Sequence, residues 1–119
     1  MPRVVHFEIR ADEPEKAIKF YEDVFKWKFK HWKGPADYWL IETGAGDGIN
    51  GGLVRKKDFF GITNTINVPS VDEFLKKIKG NGGKIVKEKM PIPGVGWLAF
   101  FEDPEGNKFG IIQNDKSVK

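Results

Sequence analysis

The feature of this sequence that most limits its fold is an internal repeat of one strand, one helix and three further strands. In the first half, Val4 to Arg10 alternates, with Val5, Phe7 and Ile9 on one face and Val4, His6, Glu8 and Arg10 on the other. A helix is expected from about Glu13 to Phe25, where Ala17, Ile18, Tyr21, Val24 and Phe25 recur at helical spacing. Asp12 with Glu15 has capping-box spacing, and Pro14 suits the first turn. Strands follow at about Lys26 to Trp32, Tyr38 to Thr43 and Gly48 to Arg55, separated by Gly34-Pro35 and by Gly44 to Gly48.

The second half repeats the plan. Ile62 to Val68 reads as a strand, and Ser70 with Glu73 opens a helix carrying Val71, Phe74, Leu75 and Ile78. That helix stops at Gly80-Asn81-Gly82-Gly83. Strands follow at about Lys84 to Glu88, Gly96 to Glu102 and Asn107 to Gln113, and the polar tail from Asn114 is expected to fray. Tyr38-Trp39-Leu40-Ile41-Glu42 echoes Gly96-Trp97-Leu98-Ala99-Phe100. The expected class is α+β, with one domain over residues 1–119 built from two βαβββ modules, about 3–56 and about 60–113.

Composition narrows the chemistry. The 119 residues contain no cysteine, which removes disulfides, thiolate metal sites and cysteine nucleophiles, and His6 and His31 are the two imidazoles. The net charge of +3 comes from 20 basic and 17 acidic residues. Seventeen of the basic residues are lysines, against Arg3, Arg10 and Arg55, whereas nucleic-acid readers favour arginine. In Lys26 to Lys33, period two places lysines on one strand face and Trp27, Phe29 and His31 on the other. Neither a nucleic-acid nor a membrane partner is expected, since no apolar run approaches the roughly 20 residues of a membrane span. The N-terminus turns directly into a strand pattern without a signal sequence, so the expected location is cytoplasmic.

Three segments together are specific: Val5-His6-Phe7-Glu8-Ile9; Lys19-Phe20-Tyr21-Glu22-Asp23-Val24-Phe25 running into Trp27; and Phe101-Glu102-Asp103-Pro104-Glu105-Gly106-Asn107-Lys108-Phe109-Gly110. With them the chain resembles the vicinal oxygen chelate superfamily, which includes glyoxalase I, bleomycin-resistance proteins and extradiol dioxygenases. The resemblance implies a glyoxalase-like fold in which the modules form a curved mixed sheet around a cleft. It also implies a homodimer and, in enzymatic members, a divalent metal in the cleft. Four ligands hold that metal, one each from the first and fourth strands of each module, typically His or Gln, Glu, His or Glu, and Glu.

His6 matches the first ligand. The other three are absent: Gly51 stands at the second position, Thr63, or Asn64 one residue on, at the third, and Gly110 at the fourth. A catalytic divalent site needs about three protein ligands, so no cofactor is assigned, and a metal requires help for His6 from Glu8, Glu42 or Glu102. Otherwise His6 is a hydrogen-bonded imidazole. The glycines either leave room for a ligand or allow strand curvature. Trp39, Trp97, Phe100 and Phe101 flank the same region, and about half of them are expected to face the cleft. The small-molecule site expected from these readings comprises His6, Glu8, Trp39, Gly51, Thr63, Trp97, Phe101 and Gly110. The proline-stiffened segment Lys89 to Trp97 reads as a lid, a partner patch or a connection tucked against its own domain.

The activity classes carried forward are a metal-independent small-molecule binder like the bleomycin-resistance branch, a metal-dependent lyase or isomerase using His6, and a dimerising interaction module.

Overall fold

A computed structural model describes residues 1–34, 37–55 and 61–119. The boundary expected between residues 56 and 60 lies outside these. The chain divides into two compact units: His6–Thr63, and Asn64–Lys119 together with Met1–Val5.

The first module runs β1 (Arg3–Ala11), α1 (Pro14–Phe25), β2 (Lys28–His31), β3 (Tyr38–Glu42) and β4 (Gly51–Arg55). Its strand order is β2-β3-β4-β1. β1 lies parallel to β4, whereas β2–β3 and β3–β4 are antiparallel, so the sheet is mixed. Ile9, Ile41 and Leu53 form the buried core, against which α1 lays Ala17, Ile18 and Tyr21. Burying each large aliphatic side chain stabilises by about 1.5–3 kcal/mol.

The helix starts differently from expectation. Glu13 occupies the N-cap without a side-chain cap bond, so the Asp12–Glu15 box does not form. Pro14 explains this: it takes the first helical position and keeps the residue before it non-helical, so the N-cap falls on Glu13 rather than Asp12. At the other end Lys26 adopts a left-handed φ of 62° and donates its N–H to the Glu22 carbonyl at 3.1 Å. β2 therefore begins at Lys28 rather than Lys26. The period-two reading holds, with Phe29 and Trp27 against the core and Lys28 and Lys30 exposed.

The second module runs β5 (Thr63–Asn67), α2 (Val71–Gly80), β6 (Lys84–Ile92), β7 (Gly96–Glu102) and β8 (Lys108–Asn114). Its order is β5-β8-β7-β6, again with a parallel pair, β5 and β8. Both βαβββ modules of the expected α+β class are present. Val68, Val71, Leu75, Ala99 and Ile111 form the core under α2. Ser70 Oγ accepts from the Glu73 N–H at 3.2 Å, which is the expected cap.

Two expectations are corrected in this module. The strand expected to end at Glu88 runs on to Ile92, so of the three readings of Lys89 to Trp97 the lid gives way to a connection paired within its own module: Met90, Pro91 and Ile92 pair with Leu98, Trp97 and Gly96. As the outermost strand in the order, β6 tolerates Pro91, which lacks a ladder N–H. The tail does not fray either. Asp115 N–H donates to Val95 O and Gly94 N–H to Val118 O, both at 2.8 Å, and Val118 is buried. Gly96 is required where this turn enters β7: its φ is +156°, and a Cβ there would overlap the Gln113 carbonyl.

Candidate ligand-binding site

Strand alternation sends His6, Glu8 and Arg10 away from the core that Phe7 and Ile9 enter. The parallel register pairs Glu8 with Gly52 and Phe7 with Gly51. Gly51 thus lies on the helix side, where a Cβ would come 2.5 Å from the Phe7 carbonyl oxygen and 2.7 Å from its ring. The fourth-strand position on the face of His6 is Gly52, which corrects the expected Gly51. Above Gly52 lies Tyr38, the first residue of β3, and a Cβ at Gly52 would overlap its hydroxyl. The phenol continues to His6, with 2.9 Å between Tyr38 OH and His6 Nε2.

Glu8 sits at the centre of this group. Its Oε2 is 3.8 Å from His6 Nε2 and its Oε1 is 3.2 Å from Arg10 Nη2. The Arg10 side chain is only 8% exposed and that of Glu8 22%, so the pair is largely withdrawn from water. Burial pushes the Glu8 carboxyl up, but the neighbouring His6 imidazole and the charge of Arg10 more than offset it and hold the group below its ordinary range. Tyr38 is driven far above its ordinary value, first by burial and then by the Glu8 charge and a hydrogen bond to that carboxylate. At neutral pH the face therefore holds a carboxylate–guanidinium pair and a neutral phenol against an imidazole. Such a set donates and accepts hydrogen bonds without presenting a free carboxylate.

The other expected site residues are distributed differently. Trp39 packs against the first core and meets the His31 ring in a tilted contact with 4.9 Å between ring centroids. Trp97 and Phe101 pack against the core under α2. These three were expected to line a ligand site and instead face the helices, because on β3 and β7 both faces are apolar and alternation cannot rank them. Thr65 and Gly110 are register partners, and a Cβ at Gly110 would come 3.2 Å from both the Phe100 ring and Thr65 Oγ1. Thr63 is 1% exposed and its Oγ1 has no hydrogen-bond partner among the described residues. Glu102 is 3.6 Å from Lys108, and Glu42 is the register partner of Lys28. Two surface depressions of about 380 and 360 Å³ are lined by lysines and Glu42 on β2 and β3 rather than by His6. The sequence reading missed Arg10 and Tyr38 as site residues; period two had already placed Arg10 beside Glu8, but nothing local marked Tyr38.

Comparison with known proteins agrees with this architecture. Residues 3–111 match the family described as Glyoxalase/Bleomycin resistance protein/Dioxygenase superfamily. The chain belongs to this superfamily. A glyoxylase-like domain-containing protein of Didymella fabae is 34% identical over 112 residues, covering 87% of this chain and 88% of the relative. A probable lactoylglutathione lyase of Vibrio parahaemolyticus is 27% identical, covering 97% of this chain and 93% of the relative. Among solved structures, a hypothetical protein from Bacillus halodurans has a TM-score of 0.76 at 18% identity, covering 98% of this chain and 97% of that one. Methylmalonyl-CoA epimerase from Mycobacterium tuberculosis has a TM-score of 0.73 at 16% identity, covering 94% and 87%. These neighbours share the fold.

The divalent site of enzymatic superfamily members can be tested against the residues present. Among the described residues no three His, Cys, Asp or Glu side chains converge. His6 and Glu8 supply two donors, and the Glu8 charge is already met by Arg10. Gly52, the register partner of Glu8, and Gly110, that of Thr65, bring no side-chain donor atoms. This donor set does not fit a divalent metal.

Proposed function

We propose that this superfamily member binds a small molecule over the His6–Tyr38–Glu8 face of its first module, without the family's metal site and as a homodimer, with neither nucleic acid nor membrane as partner. The observation that carries the reading is the donor set. An imidazole and a guanidinium-neutralised carboxylate on β1 meet a phenol from β3 on one face of the sheet, and this is a hydrogen-bonding constellation rather than a chelating one. Among the described residues no helix is long and apolar enough to cross a membrane; a cytoplasmic location is part of the same proposal.

The test is a metabolite screen by thermal unfolding on protein whose metal content has been measured after purification without chelator. A ligand at 100 times its dissociation constant is expected to add about 2.7 kcal/mol of stability, and Tyr38→Phe with His6→Ala is expected to abolish that gain. Near-stoichiometric zinc, nickel, manganese or iron in the purified protein would overturn the metal-free reading. A second reading, a metal-dependent lyase or isomerase with His6 as ligand, is favoured by the full-length likeness to relatives named lactoylglutathione lyase. It predicts that His6→Ala removes both bound metal and turnover. The homodimer is checked by light scattering at micromolar protein, where a 13.5 kDa species would reject it.

A further inference from the structure

We propose that the first module carries an internal cation and a plug where its relatives hold a metal: Arg10 is the resident positive charge at Glu8, and Tyr38 fills the side-chain space over Gly52, closing the face to divalent ions. This deepens the metal-free reading and rests on it. Three observations converge. Gly52 is the register partner of Glu8, so a side chain there would stand beside the carboxylate. Its first carbon would meet the hydroxyl end of Tyr38, not backbone, so phenol and carboxylate are alternatives for one volume. The guanidinium of Arg10, two residues along the same strand, is 3.2 Å from Glu8 and almost wholly buried, so an incoming divalent cation would meet like charge in a poorly solvated place.

A fourth observation concerns His6. The nitrogen nearest Glu8 is Nε2, and the same Nε2 is 2.9 Å from the Tyr38 hydroxyl. A metal placed between His6 and Glu8 would need the Nε2 lone pair, and hence would break this contact as well as displace Arg10. The glycine at the fourth-strand position is therefore half of an exchange whose other half is a tyrosine on the neighbouring strand. The exchange turns a chelating face into a hydrogen-bonding one.

The experiment is calorimetric titration of zinc and nickel chloride into the chelator-stripped full-length chain, with circular dichroism to check folding. Wild type is expected to show no saturable binding. Tyr38→Ala/Gly52→Glu, which vacates the volume and supplies a third donor, is expected to take one equivalent with affinity about tenfold or more above wild type, and adding His6→Ala is expected to remove it. A folded double variant that binds no better than wild type overturns the exchange while leaving the metal-free reading standing. His6-dependent stoichiometric uptake by wild type overturns both. If the double variant does not fold, Tyr38→Ser alone releases Nε2 without altering β4; a severalfold gain in zinc affinity is then the expected result, and an unchanged affinity overturns the proposal.

Discussion

The two modules solve the same backbone problem with different chemistry. In each, the last strand carries a glycine on the face turned away from the helix, Gly52 in β4 and Gly110 in β8. In each, an aromatic ring from the preceding strand takes the room so created, Tyr38 in the first and Phe100 in the second. The surroundings then diverge. The first module sets His6, Glu8 and Arg10 around its phenol, whereas in the second the buried Thr65 hydroxyl and the Phe100 ring meet at Gly110. A glycine at these positions is thus not a vacancy for a ligand but the seat of an aromatic. A largely buried guanidinium–carboxylate pair stands in the first module, whereas in the second Glu102 and Lys108 pair at 3.6 Å where β7 ends and β8 begins.

The widest gap between the halves is expected in the cost of removing one polar partner. Arg10→Ala leaves the Glu8 carboxylate withdrawn from water without its guanidinium and is expected to cost about 3 kcal/mol. Thr65→Val, which keeps shape and removes one hydroxyl, is expected to cost about 1 kcal/mol or less. Urea unfolding of both variants measures the two values, and a larger loss for Thr65→Val would break the contrast. The next effect separates the two neighbouring glycines. Gly51→Ala drives a methyl into the Phe7 carbonyl and ring, neither of which can yield without moving β1, and is expected to cost about 2–3 kcal/mol. Gly52→Ala displaces the far end of Tyr38 and is expected to cost about 1 kcal/mol. A reversed order would show that Tyr38 is held more firmly than the β1–β4 backbone.

Smaller again is Tyr38→Phe. It removes the hydroxyl's contacts with His6 and Glu8 and leaves, as in the second module, a phenyl ring over a glycine. A loss of about 1 kcal/mol is expected in the same unfolding experiment. A neutral result would mean that the phenol fills space without stabilising His6, and the likeness between the modules would be closer than the charges suggest.

Much of this arrangement was legible in the sequence because period two and period 3.6 are direct consequences of backbone geometry. The repeat, both helices and the face shared by His6, Glu8 and Arg10 followed from it. Other features depended on partners distant in the chain. Gly51 and Gly52 are adjacent and identical, so only the register with β1 separates a core glycine from a site glycine. Trp39, Trp97 and Phe101 lie on strands whose two faces are both apolar, and the helix that covers one face decides which is core. Tyr38 is the first residue of β3, where alternation has barely begun, and its role exists only because Gly52 lies below it. The failed cap at Asp12 shows a local signal losing to another local signal, Pro14.

The smallest effect expected is a pH dependence confined to the first module. Glu8 starts from an ordinary value of 4.5 and is lowered in the folded protein, the upward push of burial being outweighed by His6 and Arg10. A carboxylate lowered on folding contributes stability that is fully present above its unfolded pKa and is lost as pH falls through its folded one. The stability difference between wild type and Glu8→Gln should therefore be constant from pH 7 down to about 5 and shrink at lower pH, where the wild-type side chain becomes a neutral acid. The corresponding difference for Thr65→Val, which removes no titrating group, should stay flat across the same range. Thermal unfolding of the three proteins from neutral pH to the onset of acid unfolding reads both. A Glu8→Gln difference that persists unchanged into acid would mean that the folded protein does not favour the charged carboxylate, and the electrostatic distinction between the two halves would rest on Arg10 alone.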